Sequence, residues 1–177
     1  MRRRMSHTVS RRSSPKPSWR IALSARTNDR RLRRRLAAAV HAALASHRCP
    51  RATLSVAVVD DGVITDLHAR YRGIREPTDV LAFDLSDAPG DGAVDGEIVV
   101  SEDTARREAT RRGLPFEEEL ARYVIHGALH LLGHSDDTPA GAEAMHRIED
   151  ELLGQRVRAV RRPRRRRAPP ARAARKR

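Results

Sequence analysis

Cysteine, aromatic residues and long apolar runs are all scarce in this chain of 177 residues. A single cysteine, Cys49, rules out an internal disulfide, and without a secretory signal the expected compartment is the cytoplasm. No apolar run approaches the roughly 18–20 residues that a membrane span requires, so a membrane protein is not expected. Aromatic residues make up 3% of the chain, which leaves few rings for stacking on unpaired bases.

Acidic residues are missing from both ends of the chain. Residues 1–20 contain seven Lys and Arg and residues 156–177 contain twelve, which leaves residues 21–155 with 17 basic and 23 acidic residues. The net charge of +13 therefore belongs to the ends, while the middle is net negative. We expect disordered basic extensions at 1–19 and 156–177, which either stay solvated or bind polyanions, and one domain at 20–155.

Helical and alternating apolar patterns are mixed in the middle of the chain, without a strict βαβ order. The first helix is expected to be capped by Thr27 or Asn28, and the last to bury Ala144, Ile148 and Leu152. The predicted strands are 20–25, 52–60, 79–85 and 97–101. These patterns predict an α+β fold with α/β-like features, in which several helices cover one small mixed sheet of about four strands.

The stretch HGALHLLGHSDD, residues 126–137, carries the strongest chemical signal. His126 and His130 are four residues apart, so on a helix they share one face. Two imidazoles placed in this way can converge on one metal ion at about 2.0–2.1 Å. This spacing within an apolar helix favours a metal site over two unrelated core or surface histidines.

The third ligand must follow a break in the helix. A continuous helix would place His134 about 12 Å along the axis from His126, too far for one ion to bridge. Gly133 is the expected break, because glycine readily adopts the left-handed conformation. The chain then doubles back, which favours Asp136 as the third ligand and leaves Asp137 second. Two histidines, one carboxylate and an open position form a catalytic set, whereas structural sites are closed by four protein ligands.

Three segments together resemble the YbeY family of metal-dependent endoribonucleases. The first is the histidine motif itself, from His126 to Asp136. The second is LHARYRGIREPTDVLAF at 67–83, and the third is DGEIVVS at 95–101. In the family's order, these matches span most of residues 20–155.

The resemblance implies a function and a set of site residues. It implies a single-strand-specific endoribonuclease with one zinc ion per chain, acting in maturation of the 3′ end of small-subunit ribosomal RNA and in ribosome quality control. The implied partners are single-stranded or ribosomal RNA and the small ribosomal subunit, with no DNA specifically implied. The implied zinc ligands are His126, His130 and Asp136. Arg72 is assigned to the substrate phosphate, because a guanidinium forks onto phosphate oxygens; the alternative is a surface or structural ion pair.

Several residues depart from the family pattern. Asp136 stands where the family has the third motif histidine, and a carboxylate there lowers the net charge of the site. A bound water is therefore expected to be less acidic than with three imidazoles. The other departures are His68 for asparagine, Ala82 for serine, Asp84 for proline and Glu97 for the strand aspartate.

Two rival functions remain to be compared with the endoribonuclease. A metalloprotease of the H-E-x-x-H type carries its general base directly after the first histidine, and here that residue is Gly127. A metal-stabilised RNA-binding or ribosome-assembly protein without cleavage activity is the main alternative. The acidic middle of the chain and its few aromatic residues disfavour a pure binding module there.

Overall fold

The computed structural model describes residues 17–25, 29–86 and 92–160. Helices and strands mix in these ranges as expected for an α+β fold. Their order is β1 (Ser18–Ala25), α1 (Arg30–Ser46), β2 (Arg51–Val59), α2 (Asp61–Arg72), β3 (Val80–Asp84), β4 (Val94–Ser101), α3 (Glu102–Arg112), α4 (Phe116–Leu131) and α5 (Pro139–Val160). Within this part of the chain, no helix is both long and apolar enough to cross a membrane.

The four strands form one mixed sheet in the order β1-β2-β4-β3, which confirms the predicted fold class. Strands β1, β2 and β4 run parallel, and β3 pairs antiparallel with β4. The antiparallel register places Val80 opposite Val100 and Asp84 opposite Gly96. The start of β3 therefore lies beside the end of β4, and the loop from α2 into β3 is held at that edge.

Alternate residues of the strands face two separate apolar clusters, as the period of a β-strand requires. The larger cluster joins α1, α4 and α5 to one face of the sheet through residues such as Leu36, Val56 and Ile98. On the opposite face, Ile64 of α2 packs with Leu81 and Val99. Helix α2 thus lies across the sheet from α4, and both helices border the same end of β3.

Helix α4 contacts the sheet closely because Gly127 has no side chain. A Cβ atom at this position would lie 2.7 Å from the Ile98 Cγ2 atom and 3.0 Å from the Val80 Cγ2 atom. The first distance is shorter than real Cβ contacts allow, so only glycine fits without a shift of the strands. This close approach brings the helical face of His126 and His130 against the start of β3.

The first strand and first helix begin differently from the prediction. Strand β1 begins at Ser18, because the Trp19 Nε1–H donates to the Cys49 carbonyl at 3.0 Å and ties this end to the sheet. The N-cap of α1 is Asp29, whose side chain accepts from the Arg31 N–H at 2.7 Å. The predicted caps, Thr27 and Asn28, lie outside the described residues.

Of the three residues predicted to be buried on the last helix, only Leu152 is fully buried. Met145, Glu149, Leu152 and Leu153 are buried, whereas Ala144 and Ile148 are only half-buried. The helix runs to Val160, beyond the expected domain end at 155. The predicted disorder of the two ends falls mostly outside the described residues and stays a prediction.

Candidate metal centre

His126 and His130 lie one turn apart in the second half of α4. Their Nε2 atoms are 3.0 Å apart, and the two rings meet edge to face with centroids at 4.6 Å. Both residues are partly buried, because this face of α4 borders β3 and α5. The spacing predicted from the sequence therefore produces two converging nitrogen atoms.

Helix α4 ends where the sequence predicted a break. Leu132 is the C-cap, and Gly133 follows with a φ of 91°, the left-handed conformation that glycine favours. The Gly133 N–H donates to the His130 carbonyl and the His134 N–H to the Leu129 carbonyl, as in a Schellman motif. These bonds stop the helix and redirect the chain toward its own last turns.

The redirected chain brings Asp136 to the two histidines. One carboxylate oxygen lies 3.6 Å from the His126 Nε2 atom, and the other lies 3.6 Å from the His130 Nε2 atom. Among the described residues, these three form the group of ligating side chains whose donor atoms all lie within 4.8 Å of one another. The structure thus brings together the three residues that the sequence indicated.

The two competing residues of the motif point elsewhere. The Asp137 carboxylate accepts a hydrogen bond from the Ser135 hydroxyl within its own turn. The His134 ring meets His47 of α1, with Nε2 atoms 2.6 Å apart. Burial and the neighbouring rings of His47 and His130 lower the pKa of His134. Neither residue belongs to the three-residue group.

Both histidines are oriented through their second ring nitrogen. The His130 Nδ1 atom lies 3.1 Å from the His134 carbonyl oxygen, which can only accept, so Nδ1 carries the hydrogen. The His126 Nδ1 atom likewise donates to the Glu149 carboxylate at 2.8 Å. Each Nε2 atom is therefore left with its lone pair directed toward Asp136. Metal-binding histidines in proteins are held by outer partners of this kind.

Glu149 is almost completely buried, with 1% of its surface exposed. Because little water screens its carboxylate, its electrostatic interaction with His126 is strong. Burial by itself lowers the pKa of His126, but the hydrogen bond to Glu149 and the charge of that carboxylate raise it overall. Arg122 of α4 donates to the other oxygen of Glu149 at 3.2 Å and to Asp150 at 2.8 Å. The carboxylate is thus fixed from both sides and makes the imidazole a stronger electron donor.

The donor spacing fits a tetrahedral zinc ion. Bonds of about 2.0–2.1 Å to such an ion require donor atoms roughly 3.3 Å apart. The observed separations are 3.0 Å between the two nitrogen atoms and 3.6 Å from each nitrogen to a carboxylate oxygen. Two nitrogen lone pairs at 3.0 Å repel each other unless a proton or a cation lies between them. The donor set is therefore suited to a cation.

A cleft of about 270 Å³ opens beside the three donor atoms. Its lining combines His126, His130 and Asp136 with Arg72 at the end of α2 and residues 78–82 of β3 and the preceding loop. Arg72 is exposed and has no ion-pair partner among the described residues, which argues against a structural ion pair. Arg72 therefore shares the cleft with the candidate ligands.

The loop between α2 and β3 is tied back to α2 by His68. Its Nδ1 atom lies 2.8 Å from the Glu76 carbonyl oxygen, and the ring spans the loop that follows Gly73. The sequence marked His68 only as a departure from the asparagine of the family and did not predict this contact. The bond fixes the end of α2 relative to β3 and thereby the position of Arg72 at the cleft.

Comparison with known proteins agrees with the resemblance in the sequence. The family model described as "Endoribonuclease YbeY" matches residues 21–156. A Myxococcus xanthus protein of that name is 43% identical over 107 residues, which cover 58% of this chain and 36% of the relative. A relative from Anaeromyxobacter dehalogenans is 44% identical over 122 residues, which cover 69% of this chain and 63% of that protein. The match thus spans less than two thirds of the length of these two relatives.

A solved structure supports the fold independently. The solution structure of a protein from Thermotoga maritima superposes with a TM-score of 0.54 at 26% sequence identity. The superposition covers 78% of this chain and 93% of that protein. The overall fold is therefore shared with an experimentally determined structure.

Proposed function

Because the chain belongs to the YbeY family, we propose that it is a zinc-dependent, single-strand-specific endoribonuclease. Its proposed role is maturation of the 3′ end of small-subunit ribosomal RNA and ribosome quality control. The observation that supports it most is the convergence of three ligating side chains on a cleft that also contains Arg72. Ribosomal RNA as substrate makes the small ribosomal subunit the proposed partner and the cytoplasm the proposed place of action.

His126, His130 and Asp136 are the proposed zinc ligands. When bound, zinc acidifies a water molecule toward neutral pH and polarises a phosphoryl oxygen. The protein supports this chemistry through Glu149 and the His134 carbonyl, which hold both Nε2 lone pairs toward the site. Asp136 adds a negative charge that three imidazoles would not, so the site favours a water that is less acidic than in relatives with three histidines.

Arg72 is the proposed phosphate-binding residue. Its guanidinium has no competing carboxylate among the described residues, so its donors are available to phosphate oxygens. A planar fork of this kind holds a phosphodiester in a fixed orientation, which a single ammonium group does not. The exposed position at the mouth of the cleft gives a flexible strand access to it.

Zinc binding by Asp136 is tested by elemental analysis of purified variants. We expect Asp136→Ala to lose most of the metal, and Asp136→His to retain it because imidazole also ligates zinc. His134→Ala serves as the matched control, since its side chain points to His47. Retention of zinc by Asp136→Ala together with its loss from His134→Ala would overturn the proposed ligand set.

Cleavage is tested with an end-labelled single-stranded RNA, with and without a chelator. We expect chelation to abolish cleavage and added zinc to restore it. Arg72→Ala should keep its zinc and fold while cleaving more slowly, and Arg72→Lys should recover only part of the rate. Metal-dependent RNA binding without cleavage would instead favour the ribosome-assembly alternative.

A further inference from the structure

Tyr71 differs from every other aromatic residue of the chain in its exposure. All five aromatic residues fall within the described ranges, and they are Trp19, Tyr71, Phe83, Phe116 and Tyr123. Tyr71 is 56% exposed, whereas the other four are buried or half-buried. In a chain with few aromatic residues, one ring placed in solvent at the edge of the candidate active cleft requires an explanation.

The Tyr71 ring is held in place although it is exposed. It meets the Phe83 ring at a centroid distance of 4.9 Å and an angle of 63°. Phe83 in turn packs against the apolar cluster of Ile64, Leu81 and Val99 beneath α2. This edge contact orients the Tyr71 ring without covering it, so a flat ligand can stack there with little loss of conformational freedom.

Three arginines lie close to Tyr71 along the chain, and we call the group of Arg70, Tyr71, Arg72 and Arg75 the α2 corner. The Arg70 guanidinium lies 5.7 Å from the centre of the Tyr71 ring, and Arg72 lines the metal cleft. The three arginines are exposed and have no ion-pair partner among the described residues. The α2 corner therefore offers three cations without ion-pair partners on a domain whose overall charge is negative.

Helix α3 provides the contrast that gives this observation its weight. Its four arginines, Arg106, Arg107, Arg111 and Arg112, all pair with carboxylates. A favourable interaction with the helix dipole explains basic residues in the last turn of α2, but it explains neither Arg75, beyond the helix end, nor the exposed ring. Cations left unpaired around an exposed aromatic ring are typical of surfaces that bind single-stranded nucleic acid.

We propose that Tyr71 stacks on an unpaired base of the RNA strand while Arg70 and Arg75 hold the neighbouring phosphates. The proposal rests on the proposed function, and it adds a base-binding subsite to the metal cleft. Tyr71 and Arg72 are consecutive residues, so a phosphate bound at Arg72 leaves an adjacent base within reach of the ring. A paired base is stacked between its neighbours and presents no free face, so this subsite selects single strands.

The test uses a short single-stranded RNA carrying 2-aminopurine, whose fluorescence falls when the base stacks. Binding is measured with a chelator present so that the strand stays intact. We expect Tyr71→Ala to weaken binding roughly tenfold and to abolish the quenching. Tyr71→Phe should retain both, because phenylalanine keeps the flat ring. Val63→Ala is the matched control, since Val63 is a 46% exposed apolar residue of the same helix.

Two further measurements separate stacking from phosphate binding. Arg75→Ala should keep the quenching but lower the slope of log affinity against log salt by about 0.7, the contribution of one phosphate on a single strand. A duplex containing the same label should bind wild type and Tyr71→Ala equally. Unchanged affinity and quenching in Tyr71→Ala would overturn the subsite while leaving the cleavage proposal intact. Failure of the wild-type protein to bind the strand, both with the chelator and with zinc added back, would overturn both.

Discussion

Two buried glutamates lie along α4, one at its N-terminus and one beside its middle, and their carboxylates are held very differently. Near the middle of α4, Glu149 of α5 accepts hydrogen bonds from His126 and Arg122. In the first turn, Glu119 is 0% exposed, yet neither oxygen has a hydrogen-bond partner among the described residues. Its nearest cation is Arg112, at 3.3 Å. The two glutamates are equally buried, so burial alone does not reveal the role of either one. Their roles follow from the contacts that each carboxylate makes.

The position of Glu119 in the first helical turn explains how it is tolerated. The helix dipole favours negative charge at the N-terminus, and Arg112 supplies a cation. Glu149 gains no such stabilisation from a helix N-terminus, because it lies near the middle of α5. Its stabilisation comes from His126 and Arg122, which makes it a positioning residue for His126.

The largest expected effect distinguishes the two glutamates through zinc affinity. Glu149→Gln should weaken zinc binding by about 10- to 100-fold, because the neutral amide no longer makes the His126 ring more basic. Glu119→Gln should leave zinc affinity unchanged. Competition with a chromophoric chelator measures both. Equal losses in the two variants would mean that burial rather than contact with His126 is responsible.

A smaller effect tests the ion pair that supports Glu119. Arg112→Ala should lower the free energy of unfolding by about 1–2 kcal/mol, because it leaves a buried carboxylate without a cation. This loss of stability is smaller than for a fully buried ion pair, because the Arg112 side chain is 41% exposed. Urea unfolding measures the change. Adding Glu119→Gln to Arg112→Ala should restore most of the loss, and no recovery would assign it to the pairing of Arg112 with Glu108.

The smallest effect concerns Asp61, a carboxylate that has many partners but is less buried. Burial raises the pKa of Asp61, but hydrogen bonds from Arg107, Ser101 and Thr104 outweigh it and lower the pKa below its ordinary value of 3.8. A lowered pKa in the folded state stabilises the protein above the unfolded value, and this contribution disappears as the pH falls through the folded value. Asp61→Asn should therefore cost about 1 kcal/mol at pH 7.

Urea unfolding at several pH values follows this difference. We expect the stability of wild type and Asp61→Asn to converge below pH 4, where the aspartate becomes protonated. A constant difference down to pH 2 would show that the carboxylate's charge contributes nothing to the contact between α2 and α3.

The sequence predicted which three side chains come together, because the controlling geometry is local. The rise of an α-helix sets the distance from His126 to His134, and a glycine marks the place where the helix ends. Both observations involve residues within one short stretch of chain. The position of Asp136 follows from this stretch, and the structure places its carboxylate beside both histidines.

Glu149 was missed because its partner lies 23 residues away on another helix. The sequence does contain a signal, since Glu149 lies on the line formed by Met145, Leu152 and Leu153, which the structure buries. A charged residue on an apolar helical face predicts a buried polar contact. The sequence analysis predicted a buried line of Ala144, Ile148 and Leu152, which does not include Glu149.

The contact of Gly127 with the sheet has a consequence for the evolution of this site. One substitution, Gly127→Glu, would change HGALH into the H-E-x-x-H motif of zinc proteases. A single substitution would therefore supply the general base of a protease. The Cβ atom of the new residue, however, would lie 2.7 Å from the Ile98 Cγ2 atom. A lineage that acquired the glutamate would first have to move β3 and β4 away from α4, and so disturb the edge that holds the cleft. Packing, rather than chemistry, thus separates this scaffold from peptide hydrolysis.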